Sequence, residues 1–286
     1  MTAMITPFQQ NLEIDFKKAR ELAASLFKND SGGIVVCGTT GESPALDNKE
    51  KLDLFTAVLE EVGGKAQVWA GVGSNSTQHS IELARQASGL GVDGLMLVAP
   101  YYNKPTQEGL YQHFAAIAEA VKLPIMLYNI PGRTGVNMLP ETVNRLANID
   151  NIVALKEASG IMDQMSHLKN IVPDDFIIYS GDDSLTLPLM SLGAHGVVSI
   201  ASHLVGPRIN KMIESYISGR MEEARLIHAS LFNLYRSLFI LTNPIPLKEA
   251  MRQLGKDSGI LRLPLCEPGA KERIEIEQVL KEYNFL

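Results

Sequence analysis

A lysine stands at the end of a run built for burial. In Ile152-Val153-Ala154-Leu155-Lys156-Glu157-Ala158-Ser159-Gly160, an apolar, partly β-branched run leads into Lys156 and a Ser-Gly pair follows. A short apolar run between turn signals reads as a strand buried on both faces. A lysine closing such a strand has a packed stem and a half-desolvated amine. Burial disfavours the ammonium and draws its pKa down from about 10.4, toward the range where a neutral amine attacks a carbonyl. The competing reading is a lysine that snorkels its charge into water. This stretch by itself leaves both open. By the period-two rule Glu157 points to the opposite face from Lys156 and does not pair with its amine.

The other residues able to do chemistry fall into short motifs. They are Gly38-Thr39-Thr40-Gly41-Glu42-Ser43, Pro100-Tyr101-Tyr102-Asn103, Tyr128-Asn129-Ile130-Pro131-Gly132-Arg133-Thr134-Gly135, and Gly181-Asp182-Asp183, with Ser199 further on. Together they offer an amine, hydroxyls, phenols and a guanidinium. That set suits imine chemistry, in which an amine attacks a ketone while phenol and hydroxyl groups move protons. Metal chemistry is poorly served: the six histidines are scattered, with no H-x-H or H-E-x-x-H spacing. Asp182 and Asp183 read more readily as turn caps than as magnesium ligands. No G-x-S-x-G elbow is present, and the triad set of an acyl hydrolase is absent. Each motif also has a structural reading: a tight turn for Gly38–Gly41, aromatic packing for Tyr101 and Tyr102, a core phenol for Tyr128, a surface charge for Arg133.

The elements that must position these groups alternate. Apolar β-type runs occur at Ala3–Ile5, Gly33–Cys37, Gln67–Gly71, Gly94–Val98, Pro124–Tyr128, Ile152–Lys156, Phe176–Ser180 and Gly196–Ile200. Amphipathic segments lie between them: Phe16–Phe27, Lys49–Val62, Thr77–Ser88 with Thr77 as capping residue, Gln107–Val121, Pro140–Leu146, Met162–Lys169 and Leu185–Leu192. Alternating strand and helix means a parallel sheet, because each parallel connection needs a crossover. Eight such units in roughly 200 residues predict an α/β fold of the (β/α)8 TIM-barrel type, with chemistry gathered at the C-terminal strand ends. An open doubly wound sheet usually carries a Gly-rich fingerprint after its first strand, and none follows Ile5. The barrel is expected over residues 1–218. A helical C-terminal segment is expected over 219–286, with helices at Met221–Ile240, Pro246–Leu254 and Lys271–Tyr283.

The composition narrows the partners. The chain has 286 residues, 45% of them hydrophobic, enough for a sizeable core. A net charge of −6 leaves no excess of cations to neutralise phosphates, which argues against nucleic acid. Cys37 and Cys266 are the only cysteines, too few for a disulfide framework or thiolate zinc site, and a reducing, cytoplasmic setting fits. No stretch approaches the ~18 apolar residues of a membrane span. The Met1–Pro7 start lacks the basic and apolar regions of a signal peptide.

At the motifs quoted above, and at Leu155-Lys156-Glu157-Ala158, Ser180-Gly181-Asp182-Asp183 and Asn243-Pro244-Ile245-Pro246, the sequence resembles the class I pyruvate-dependent aldolase and lyase superfamily. Within it the likeness is to the dihydrodipicolinate synthase family, over nearly the whole chain. The resemblance implies that Lys156 forms a Schiff base with pyruvate. The derived enamine then attacks L-aspartate 4-semialdehyde, giving 4-hydroxy-tetrahydrodipicolinate for lysine and diaminopimelate biosynthesis. It implies a proton relay of Thr39, Tyr102 and Tyr128, with Tyr102 reaching in from a neighbouring subunit. Thr40 and its loop amides would hold the pyruvate carboxylate and Arg133 that of the semialdehyde, while main chain at Gly181 and Val198 lines the site. No cofactor or metal is implied beyond the covalent imine, and a homotetramer built as a dimer of dimers is.

Relatives with other aldehydes, the N-acetylneuraminate lyases and 2-keto-3-deoxy sugar-acid aldolases, share the lysine and tyrosine. Thr39 and especially Arg133 favour the synthase. A catalytically idle barrel that binds keto acids as a sensor is the non-enzyme alternative. Two features depart from the family pattern. The first strand looks a few residues short. At the subunit-interface site where feedback-inhibited relatives bind L-lysine, Tyr101, Asn75 and Ser43 match. The histidine positions there hold Asn48 and Lys51 and the glutamate position holds His79, so weak or absent lysine inhibition is expected.

Overall fold

The computed structural model describes residues 1–256 and 258–286. In chain order the elements begin with β1 (Thr2–Ala3), α1 (Phe16–Lys28), β2 (Gly33–Val36) and α2 (Asn48–Val62). Next come β3 (Gln67–Gly71), α3 (Thr77–Leu90), β4 (Gly94–Val98), α4 (Gln107–Ala120) and β5 (Ile125–Asn129). A short α5 (Pro131–Thr134) and α6 (Pro140–Ala147) lead to β6 (Ile152–Glu157), α7 (Met162–Ile171) and β7 (Ile177–Ser180). The chain continues through α8 (Thr186–Ser191), β8 (Gly196–Val197), α9 (Ser202–Ile217), α10 (Met221–Ser237), α11 (Ile245–Gln253) and α12 (Ala270–Glu282). The strands are parallel and follow one another in chain order, which is the (β/α)8 class expected from the sequence.

The chain forms two compact units, Gln67–Ser199 and Met1–Ala66 with Ile200–Leu286. The helices after Gly219 group with the first strands. In Gln67–Ser199, β3 to β8 pair in sequence, with Val98 opposite Tyr128, Tyr128 opposite Lys156, and Ser180 opposite Val197. Leu95, Leu97, Ile125, Met126, Leu127 and Leu155 are fully buried, as expected of strands covered on both faces. In the other unit, β1 pairs with β2 through Thr2 opposite Ile34.

Four local expectations are corrected. The first strand is Thr2–Ala3 rather than Ala3–Ile5. Helix α3 is capped by Ser76, whose side chain accepts from the His79 amide, and Thr77 is its first helical residue. Helix α9 has no counterpart among the predicted segments. The last helix of the first eight units is split, with a 3-10 turn at Asp183–Leu185 leading into α8.

Candidate active site

Lys156 and Tyr128 lie side by side at the ends of β6 and β5. Paired residues of neighbouring parallel strands point to the same face, so their register fixes the contact. The lysine is 4% and the tyrosine 3% exposed, and the amine lies 4.2 Å from the centre of the Tyr128 ring. Burial draws the Lys156 pKa from 10.5 to about 8, with Asp183 opposing the shift and Arg133 adding to it. About a tenth of such an amine is neutral at pH 7, against roughly one part in several thousand for an unperturbed lysine. The snorkelling reading fails, because the amine itself is enclosed.

The next strand makes room for this side chain. A Cβ at Gly181 would lie 3.2 Å from Lys156 Cε and 2.8 Å from Ala158 Cβ, so a side chain here would press on the lysine. Gly181 donates its N–H to the Glu157 carbonyl at 2.7 Å and Val198 donates to Ser180 at 2.9 Å. Their amides are therefore engaged in the sheet, and what these residues can turn toward a ligand is a carbonyl. Asp182 is the cap that the sequence predicted, accepting from the Ser184 amide and hydroxyl. Asp183 is different: it is 2% exposed, accepts from the Ser199 hydroxyl, and is the carboxylate that favours the charged form of Lys156.

Glu157 faces away from the amine, as its parity requires. It is buried and accepts from Asn129 Nδ2 at 3.0 Å and from the Ser159 amide at 2.5 Å, while burial foremost pushes its carboxyl upward. Asn129 also donates to Asn137 Oδ1 at 2.8 Å and accepts from the Met138 amide at 3.0 Å. These bonds close the neck of the loop that carries Arg133. Within the loop, Arg133 sits on α5, which Gly135 ends at φ 73°, and the Thr134 hydroxyl donates to Ile130 and Val136 carbonyls. Tyr102 donates its N–H to the Thr134 carbonyl at 3.4 Å. Its φ is 73°, a conformation costly for a bulky residue, and its side chain is 88% exposed.

Thr39 and Thr40 belong to the other unit, in the turn after β2. Cys37 at φ 55° and Glu42 at φ 54° bracket a knot of backbone bonds from Gly41 to Gly38 and from Glu42 to Thr39. Thr39 is half-buried, whereas Thr40 is 2% exposed and accepts from Asn243 Nδ2 at 3.0 Å. Cys37 is no nucleophile, since burial pushes its thiol up to about 12. Lys51 is buried with its pKa lowered by desolvation. Among the described residues no group of three or more His, Cys, Asp or Glu could hold a metal ion.

Of the predicted residues, Lys156, Tyr128, Gly181 and Arg133 thus form one electrostatic and steric group within Gln67–Ser199, while Tyr102 presents its phenol to solvent. Asp183, Asn129 and Asn243 are functional candidates that stand inside the quoted motifs but received no site role from the sequence, Asp183 being read there as a turn cap.

The described chain has no helix long and apolar enough to cross a membrane. A family model described as the Dihydrodipicolinate synthetase family matches residues 1–283. The chain is 54% identical to the 4-hydroxy-tetrahydrodipicolinate synthase of Desulforudis audaxviator over 286 residues, covering 100% of this chain and 97% of that protein. Its structure resembles that of DHDPS from Cyanidioschyzon merolae with lysine bound, at TM-score 0.98 and 49% identity, covering 100% of this chain and 97% of the other. It is also similar, at TM-score 0.97 and 41% identity over 100% of this chain and 96% of the other, to a structure described as the first monomeric dihydrodipicolinate synthase variant.

Proposed function

The chain belongs to the dihydrodipicolinate synthetase family, and from that premise we propose how its residues carry the reaction. The protein is a lyase that condenses pyruvate with L-aspartate 4-semialdehyde to give 4-hydroxy-tetrahydrodipicolinate. Lys156 attacks the pyruvate ketone and water leaves, giving a protonated imine. The imine draws electrons from the methyl group, which loses a proton and becomes an enamine carbon. That carbon adds to the semialdehyde, and the semialdehyde's own amine closes the ring and expels Lys156. The observation that carries this assignment is the enclosed Lys156 amine over the Tyr128 ring, its pKa drawn to about 8. An amine so placed attacks at neutral pH without a separate base to strip it.

The remaining roles follow from the motif match. Tyr128, Thr39 and Tyr102 pass the protons; Thr40 donates to the pyruvate carboxylate; Arg133, a planar fork, takes the carboxylate of the semialdehyde. Gly181 and Val198 line the site through their main chain. The exposure of Tyr102 supports its service to a neighbouring subunit in a homotetramer, a dimer of dimers. The lysine imine supplies the electron sink, so no cofactor is required, and the two free cysteines fit a reducing, cytoplasmic setting. Borohydride reduction with pyruvate is expected to leave a stable adduct on Lys156, and its absence would overturn the assignment. Aspartate semialdehyde is expected to outcompete N-acetylmannosamine for the pyruvate enzyme. The reverse order would favour a sugar-acid aldolase.

A further inference from the structure

The segment after Gly219 reaches the threonine turn with two side chains, and the bonds they make leave one hydroxyl poised. Asn243, just before α11, donates Nδ2 to Thr40 Oγ1 at 3.0 Å. An amide nitrogen can only donate, so Thr40 accepts there and must give its own proton elsewhere. Thr40 is 2% exposed, and among the described residues its hydroxyl makes no hydrogen bond besides that one. A buried O–H without an acceptor is costly, and a carboxylate oxygen is the partner that relieves it best.

Lys248 on α11 secures the same turn from below. Its ammonium is 2.6 Å from the Glu42 carboxylate, with the side chains 3% and 2% exposed. It also donates to the Thr6 carbonyl at 2.8 Å and to the Ile260 carbonyl at 2.7 Å. Thr6 in turn donates its hydroxyl to the Gly41 carbonyl at 2.7 Å, and the Arg262 amide donates to the second Glu42 oxygen at 3.1 Å. Glu42 holds a left-handed conformation at φ 54°, which persists only where the surroundings over-determine it. Lys248 contacts both ends of that restraint, Glu42 directly and the Gly41 carbonyl through Thr6.

We infer that Asn243 and Lys248 are positioning residues for pyruvate binding: Asn243 fixes Thr40 as a hydroxyl donor aimed at an α-keto acid carboxylate, and the buried Lys248–Glu42 pair holds the turn that presents it. The inference rests on the proposed role of Thr40 and extends it to residues of the C-terminal segment. Neither residue needs to touch substrate. Their effect falls on pyruvate affinity, not on the lysine's chemistry or on the semialdehyde.

Asn243→Asp tests this with almost no change in size, because it replaces the donor by a carboxylate that accepts the Thr40 proton and turns it away from substrate. The expected result is a pyruvate KM raised about 10- to 100-fold, the loss of one hydrogen bond to a charged group, with the semialdehyde KM unchanged. The pyruvate concentration for half-maximal borohydride trapping on Lys156 should rise in parallel. Thr40→Val serves as the control, and the double variant should be no worse than either single one. If Asn243→Asp does not fold, Asn243→Ala is read the same way. The paired replacement of Lys248→Met with Glu42→Gln avoids an orphaned buried charge and should raise pyruvate KM several-fold. A wild-type pyruvate KM in the Asn243 variants, with Thr40→Val impaired, overturns the inference. A wild-type KM in the paired variant removes Lys248 from it. A wild-type KM in Thr40→Val overturns the reading of Thr40 itself and the inference with it.

Discussion

Replacing Lys156 by Met should abolish activity and stabilise the protein at neutral pH. The reason lies in the cost of keeping an ammonium where Lys156 sits. Its pKa falls from 10.5 to about 8 on folding, and each unit is about 1.4 kcal/mol. Between those two values the unfolded chain binds the proton more tightly than the native one, so stability rises with pH through this window. Below about pH 8 the native state carries the whole penalty, about 3 kcal/mol, and above about pH 10.5 none of it. Met has nearly the same length and no charge to desolvate. The gain expected at pH 7 is therefore about 3 kcal/mol, a rise of several degrees in Tm, and it should shrink toward zero by pH 10.5. Thermal or denaturant unfolding of the two proteins at pH 7, 9 and 10.5 measures it. The reasoning is refuted if the variant is no more stable than the wild type at pH 7, or if its advantage is the same at every pH.

Other outcomes follow from the same geometry. Asp183→Asn removes the carboxylate that favours the charged amine, so the acid limb of pyruvate trapping on Lys156 should move to lower pH; an unmoved or higher limb contradicts the electrostatics described. Glu157→Gln keeps the size but turns one of the two oxygens that accept from Asn129 and Ser159 into a donor; with the amine itself untouched it should cost at most about 10-fold in kcat while Lys156→Ala is inactive. Equal loss in the two would mean that the carboxyl acts on the amine. Tyr102→Phe should lower kcat about 100-fold with the oligomer intact by sedimentation, and a fully active Tyr102→Phe would dissolve the relay. Millimolar L-lysine should leave the rate within about 20% of its uninhibited value if, as the family resemblance implies, Lys51 faces the cationic effector. Halved activity would show that the buried, pKa-lowered Lys51 is no barrier.

Much of this molecule is written in its local sequence. Period-two and apolar runs bounded by glycine, proline and polar turns are the physical cause of strands, and the alternation with amphipathic helices leaves little choice but parallel pairing. The same local pattern puts Lys156 at a strand end and Glu157 on the other face. Helix α9 is not legible in the sequence, because Gly206-Pro207 reads as a helix breaker and Val205 leaves helical geometry at φ −132°. Thr77 reads as a cap although Ser76 is the one, because adjacent hydroxyl residues offer the same chemistry and only backbone geometry separates them.

What tertiary structure alone decides is environment. A lysine in a sequence has no pKa until its neighbours are in place; burial at 4% exposure, with Asp183 and Arg133 acting in opposite senses, sets the value of about 8. Nothing local marks Asp183 as buried and its neighbour Asp182 as a cap, since the two differ only in which way the turn points them. The bond from Asn243 to Thr40 joins residues 203 apart, and the Lys248–Glu42 pair joins the same distant stretches. Such contacts are made by packing, not by propensity. The sequence by itself named the groups able to do chemistry; the fold determined which of them are desolvated, which way each one donates, and therefore what each can do.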